Sequence, residues 1–153
     1  MDDITIRLGT LDDLEVVVRH RVGMFRDMGI PEEKLAAIEP ASRAYFQQAI
    51  VSRHYLPFLA ETGDRRVIAG GGIVILHWPG SPLDPRDSRA MILNMYTEEE
   101  FRRRGIARRI MQAMLDWCRS EGYQTVSLHA SQFGRPLYES LGFQPTNELR
   151  LTL

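Results

Sequence analysis

Residues 102–109, Arg-Arg-Arg-Gly-Ile-Ala-Arg-Arg, crowd five arginines around one glycine at a point where apolar spacing downstream begins a helix. A helix N-terminus already carries about half a positive charge, so Arg102, Arg103 and Arg104 repel it unless an anion lies among them. Gly105 lets the backbone approach a ligand closely, and the free N–H groups of the first helical turn then converge on its oxygens. The chemistry this stretch could do is to cradle a diphosphate. The alternative is an ordinary surface helix start, with Glu98, Glu99 and Glu100 partly pairing with Arg102 to Arg104.

Other reactive side chains are scattered more thinly. His129 has a near-neutral pKa in principle and could relay a proton, although a histidine at a strand end is commonly structural. Asn94 cannot act as a base but could orient water or substrate. Glu61 is a further carboxylate, with a solvated face as its plain explanation. Cys118 sits on the apolar side of a helix beside Trp117, which favours packing over nucleophilic work. Arg19, His20, Arg21 and Arg26 fall beside Val22, Met24, Phe25 and Met28, a spacing that permits a basic patch for an acceptor carrying a carboxylate or phosphate. Tyr55, His77, Trp78 and Phe133 could line an acceptor pocket, though core packing accounts for aromatics equally well.

These residues need a scaffold. The 153 residues, 44% of them hydrophobic, suit one domain spanning 1–153 with a core that requires no disulfide or metal staple. Net charge is −1, which argues against the broad basic excess of nucleic-acid binders. The single cysteine excludes internal disulfides and cysteine-rich zinc sites and, with no leader-like N-terminus, points to the cytoplasm. No apolar run approaches the ~20 residues that cross a bilayer, and no ligand cluster suggests a metal.

Alternation over 4–8 predicts a strand, and Thr10 with Asp12 and Asp13 starts a helix over about 11–28. A second helix opens at Pro31 and extends towards Ser52, with a break expected near Pro40. Residues 55–61 and 67–78 form a hairpin about Gly63 and Asp64, and the Gly70-Gly71-Gly72 run suggests a bulge or close packing. A proline-rich loop over 79–88 leads to a strand over 89–97. The arginine turn and a strongly amphipathic helix to about Gly122 follow. A strand over 125–129, a short helix over 135–141 and a last strand around 149–153 complete the order β-α-α-β-β-β-α-β-α-β. Strand, helix, strand over 89–129 implies a right-handed parallel crossover. The fold class is α/β, a mixed and mostly antiparallel sheet flanked by helices.

From Ile92 to Phe143 the chain resembles the GNAT superfamily of acetyl-CoA-dependent N-acetyltransferases. Three pieces carry the resemblance in the family's order: Ile-Leu-Asn-Met-Tyr-Thr (92–97), Arg-Arg-Arg-Gly-Ile-Ala (102–107) and Leu-Tyr-Glu-Ser-Leu-Gly-Phe (137–143). There is no Gly-x-Gly-x-x-Gly and no Gly-Lys-Ser/Thr to suggest a Rossmann or P-loop site. The resemblance implies the acyl-CoA N-acyltransferase fold, with a splayed pair of central parallel strands whose exposed edge takes the pantetheine arm as an added strand would. It implies main-chain contacts from Met95, Tyr96 and Thr97, pyrophosphate binding by Arg102, Arg103, Arg104, Gly105, Ile106 and Ala107, and a side-chain contact from Arg109. Tyr138 takes the place of the family's general acid. Ser131 stands where many relatives carry a cofactor-contacting asparagine, and Gly134 where alanine is common. The resemblance covers no acceptor motif, and Asn94, Phe25 and His77 are acceptor-side candidates read from the residues themselves.

The implied reaction moves an acetyl group from acetyl-CoA to a primary amine, on a small molecule, amino acid or peptide, by direct attack in a ternary complex. Two rival readings are a silent acetyl-CoA sensor of the same fold and a nucleic-acid binder using the arginine helix. The sequence expects no nucleic acid, membrane or metal. A homodimer is suggested by the family alone, through sheet edges or the C-terminal strand.

Overall fold

The computed structural model describes residues 3–153. Strand β1 (Thr5–Leu8) is followed by a 3-10 turn at Leu11–Asp13 and helix α1 (Leu14–Asp27), then helix α2 (Glu32–Val51). The Thr10 hydroxyl accepts from the Asp12 N–H, and the Asp13 carboxylate accepts from the Thr10 N–H, a reciprocal cap that ends β1 and launches the helix. Strands β2 (Tyr55–Glu61), β3 (Val67–His77) and β4 (Ser88–Thr97) come next. Helix α3 (Ile106–Ser120), strand β5 (Val126–Leu128) and helix α4 (Arg135–Ser140) follow.

The sheet runs β1-β2-β3-β4-β5, antiparallel except for the parallel β4–β5 pair. Tyr55 to Ala60 are all buried rather than alternating, because helices cover both faces of β2. On one face Val17 of α1 and Phe46, Ala49 and Ile50 of α2 pack with Tyr55 and Val74. On the other, Ile106, Ile110, Met111, Met114 and Cys118 of α3 pack with Phe58, Ile73, Ala90 and Ile92, and Tyr138 of α4 joins this layer. Ile110, Met111 and Met114 are fully enclosed, so truncating any of them to alanine costs about 2–5 kcal/mol.

Three expectations change. Helix α2 runs unbroken through Pro40: the amphipathic face holding Leu35, Phe46, Ala49 and Ile50 supplies packing that outweighs one missing hydrogen bond. No strand forms over 149–153, so β5 is an edge strand rather than one of a central pair. The leucines of that segment alternate as a strand requires, but alternation fixes only which face a residue takes, and no neighbouring edge of this chain pairs with it. The arginine-turn helix begins at Ile106, two residues later than the charge run suggests, since Gly105 is its left-handed cap.

Candidate active site

The site begins with an irregularity in β4. Gly70 pairs with Tyr96 and Gly72 with Leu93, so Gly71 alone faces two residues, Asn94 and Met95. This is a β-bulge, and Asn94 takes the left-handed conformation it requires, with φ 63°. The bulge turns Leu93 and Asn94 to the same face, towards α1 and α2, and sends Met95 to the α3 face. A Cβ at Gly72 would strike the Tyr55 ring, so the glycine lets that ring lie flat across the strand and carry its hydroxyl to Asn94.

Strands β4 and β5 pair only at Ala90–Val126, Met91–Ser127 and Ile92–Leu128. Beyond Ile92 they part, and Leu93 to Thr97 keep β3 on one side with no strand on the other among the described residues. An open edge of about five residues therefore runs straight into the arginine turn.

That turn is braced from within. Arg102 donates through Nε to the Thr97 carbonyl (2.8 Å) and through Nη2 to Asp27 (2.6 Å), tying the end of β4 to the end of α1. Arg103 adopts φ 62° and Gly105 φ 75°, which swings the chain into α3. The amides of Ile106, Ala107 and Arg108 have no intrahelical acceptor, and no side chain caps α3 to take their place. Ile106 itself is buried and anchors the turn to the core, whereas Ala107 is half-buried at the open side. Glu98 and Glu100 do not pair with the turn: both bind Arg66, and Glu98 also binds Arg19 at 3.1 Å. Arg103 and Arg104 are thus left without a carboxylate among the described residues, and Arg104 donates to the Glu100 carbonyl at 3.0 Å and lies over the Phe101 ring. Amides, a glycine and unpaired guanidinium groups fit a diphosphate.

Arg109 departs from expectation. Its Nη2 donates to the Ile4 carbonyl at 2.6 Å, because its side of α3 faces β1, so it holds the sheet edge rather than the turn.

Tyr138 is 8% exposed, with its ring against Phe143 and close above Gly134. Burial pushes its phenol pKa up, which keeps the proton in place at neutral pH. Ser131 starts α4: its hydroxyl accepts from the Gly134 N–H at 3.1 Å and its carbonyl from the Arg135 N–H at 3.0 Å. His129 lies half-exposed just past β5, its Nε2 2.7 Å from Glu148. His77 is exposed at the far end of β3, opposite Ser88. It stands about 17 Å along the strand from Gly72 at ~3.3 Å per residue, and so outside the site.

Asn94 is buried and fully engaged. Its amide donates to the Tyr55 hydroxyl at 2.8 Å, and its Oδ1 accepts from Arg21 at 2.6 Å. Phe25 lies under that guanidinium, ring centroid to Cζ 4.8 Å. Sequence reasoning did not find Tyr55 as the partner of Asn94, since 39 residues separate them.

Between α1 and the end of β4 lies an open cleft of about 490 Å³, lined by Arg19, His20, Gly23, Arg26, Tyr96 and Glu98 to Glu100. His20 is 2% exposed, tilted against Tyr96 with ring centroids 5.0 Å apart, and neither ring nitrogen has a hydrogen-bond partner among the described residues. Burial holds its pKa down at about 4, so it is neutral. Elsewhere Glu61 is committed to Arg7 at 2.7 Å, and burial raises the Cys118 thiol to about 11, which removes both from the chemistry. Among the described residues no cluster of His, Cys, Asp or Glu could hold a metal, and no helix is long and apolar enough to cross a membrane.

The architecture has close counterparts. A GCN5-related N-acetyltransferase from Ralstonia eutropha JMP134 superposes with a TM-score of 0.94 at 33% identity, covering 99% of both chains. A predicted acetyltransferase from Clostridium acetobutylicum, solved with acetyl-CoA, superposes at 0.88 with 27% identity over 98% of this chain and 96% of that one. A human protein, N-acetyltransferase 8, is 30% identical over 66 residues, which is 41% of this chain and 29% of the human one. The chain thus spans less than a third of the length of that curated relative. The model of the acetyltransferase (GNAT) family matches residues 24–143, which take in the bulged strand, the arginine turn and the α4 tyrosine. On that match over most of its length, the chain belongs to the GNAT acetyltransferase family.

Proposed function

We propose that this protein transfers the acetyl group of acetyl-CoA to a primary amine, by direct attack of the amine while both substrates are bound. The observation that carries the reading is the release of β4 from β5 after Ile92, immediately before a turn with uncapped amides and unpaired arginines. Acetyl-CoA supplies an activated acyl group on a thiol leaving group, and every other part of the reaction falls to side chains and backbone of this chain.

The open edge at Met95, Tyr96 and Thr97 offers main-chain groups to the amide-bearing arm of the donor. The amides from Ile106 onward, with Arg103 and Arg104, hold its diphosphate, while Arg102 keeps the turn in shape. Tyr138, protonated at neutral pH, gives its proton to the departing thiolate. His129, with Glu148 behind it, is the relay for the proton the amine loses. Ser131 acts on the donor indirectly, by fixing the start of the helix that bears Tyr138.

A cytoplasmic setting agrees with a lone buried cysteine that has no second thiol to pair with. A homodimer is supported by the C-terminal segment, where Leu149, Leu151 and Leu153 are 97%, 82% and 112% exposed in strand-like alternation. Such a row in water is unfavourable by about 25 cal/mol per Å² of apolar surface and invites a partner.

The test is calorimetric titration with acetyl-CoA followed by a thiol-release assay across an amine panel. Binding together with amine-dependent thiol release is expected. Binding without turnover of any amine would turn the reading to a sensor, and no binding would end it.

A further inference from the structure

Helix α1 carries three arginines, and the structure treats them differently. Arg19 and Arg26 pair on the surface with Glu98 at 3.1 Å and Glu32 at 2.7 Å. Arg21 turns inward, is half-buried, and has no carboxylate within 4 Å among the described residues. Its compensation is neutral: the Asn94 oxygen at 2.6 Å and the faces of Phe25 and Phe46, whose centroids lie 4.8 and 5.6 Å from Cζ. A cation withdrawn from water on those terms is poorly repaid, since aromatic faces and one amide oxygen return less than a carboxylate does.

The arrangement is also rigid. Tyr55, fully buried, takes a hydrogen from the Asn94 amide at 2.8 Å, which fixes the amide's orientation and aims Oδ1 at Arg21. Asn94 in turn is held by the bulge in β4. A guanidinium has five N–H donors in one plane, and a single one goes to Asn94. The ring contacts and the Asn94 bond hold that plane in place and leave a fork of N–H groups, the geometry that matches a carboxylate with two parallel hydrogen bonds. Asn94 lies two residues beyond the last β4–β5 pair, so this fork stands where the two strands part, beside the backbone proposed to carry the acyl arm.

We infer that Arg21 is the acceptor-side anion site, and that the acceptor is an amine bearing a carboxylate, held through that carboxylate while its amine meets the acyl group. This rests on the acetyltransferase reading and specifies its substrate class. Arg21 acts on specificity by touching substrate, with Asn94 and Tyr55 as positioning residues.

The experiment compares amino acids with their carboxamides as acceptors, pair by pair, by thiol release from the full chain. For the wild type, kcat/KM should favour the acids by about 10²-fold, since a site built for a charged partner strongly rejects the analogue without it. Arg21→Gln should bring that ratio close to one, the loss falling on KM for the acids, and Arg21→Lys should restore about a tenth of the preference as a point charge without the fork. Phenylpropionate, which has the carboxylate and no amine, should compete with the acceptor in the wild type. That measurement decides the matter even if neither variant folds. Equal use of acids and amides by the wild type, an unchanged ratio in Arg21→Gln, or no competition by the carboxylate would overturn the inference and leave the acetyltransferase reading standing. If no amine of either kind is acetylated, the broader reading falls first.

Discussion

Tyr138 is the residue on which catalysis should turn most sharply. Replacing it with phenylalanine removes the proposed proton donor and keeps the ring against Phe143. Turnover should then fall by about 10² to 10⁴, with acetyl-CoA affinity unchanged by calorimetry. Wild-type turnover would remove the phenol from the mechanism. His20 bears on stability instead. It is neutral in the folded protein, with burial and the nearby Arg19 charge holding its pKa at about 4 against an ordinary 6.5, while Glu98 opposes them. Above pH 6.5 both folded and unfolded chains leave it uncharged, and its contribution is fully present. As pH falls from 6.5 towards 4 the unfolded chain takes up the proton first, so up to about 3 kcal/mol of stability is lost across that window. Urea unfolding of wild type and His20→Gln from pH 7 to 4 should show the variant with the flatter profile, and parallel profiles would contradict it.

The elements show why the turn is built as it is. Gly105 starts α3 with φ 75°, and a Cβ there would meet nothing within 4 Å. The cost of Gly105→Ala is therefore conformational, about 1–2 kcal/mol, and Gly105→Asn should cost less because asparagine tolerates the left-handed region. Either substitution disturbs the amides proposed to hold the diphosphate, so coenzyme A titrations should show affinity lost in the same order. The arginine brace is a separate device. Arg102→Ala frees Thr97 and Asp27 together, and amide exchange should quicken at the end of β4 and the end of α1 in the same variant.

At the scale of the whole molecule, the exposed leucines at the C-terminus predict association. Light scattering should give about twice the 17.5 kDa chain mass, and serine at Leu149, Leu151 and Leu153 should return the monomer. A monomeric wild type would dismiss the dimer. The sheet also parts residues that lie close together in the sequence. His77 is expected among the acceptor residues, but β3 runs eleven residues and carries it to the far end of the strand. Arg109 lies four residues from Gly105 in sequence, yet the helix presents it to the Ile4 carbonyl beside β1.

What the sequence determined by itself was local: periodicity placed the helices and every strand but the last, and the glycine-centred turn suggested an anion site, because both depend on residues a few positions apart. The tertiary structure alone decided which charges are spoken for. Glu98 and Glu100 went to Arg66, Asn94 to Tyr55 and Arg21, and Arg21 was left without an acid. Such pairings join residues 32 to 73 positions apart through the packing of helices on a bulged strand, and spacing along a chain carries no record of them.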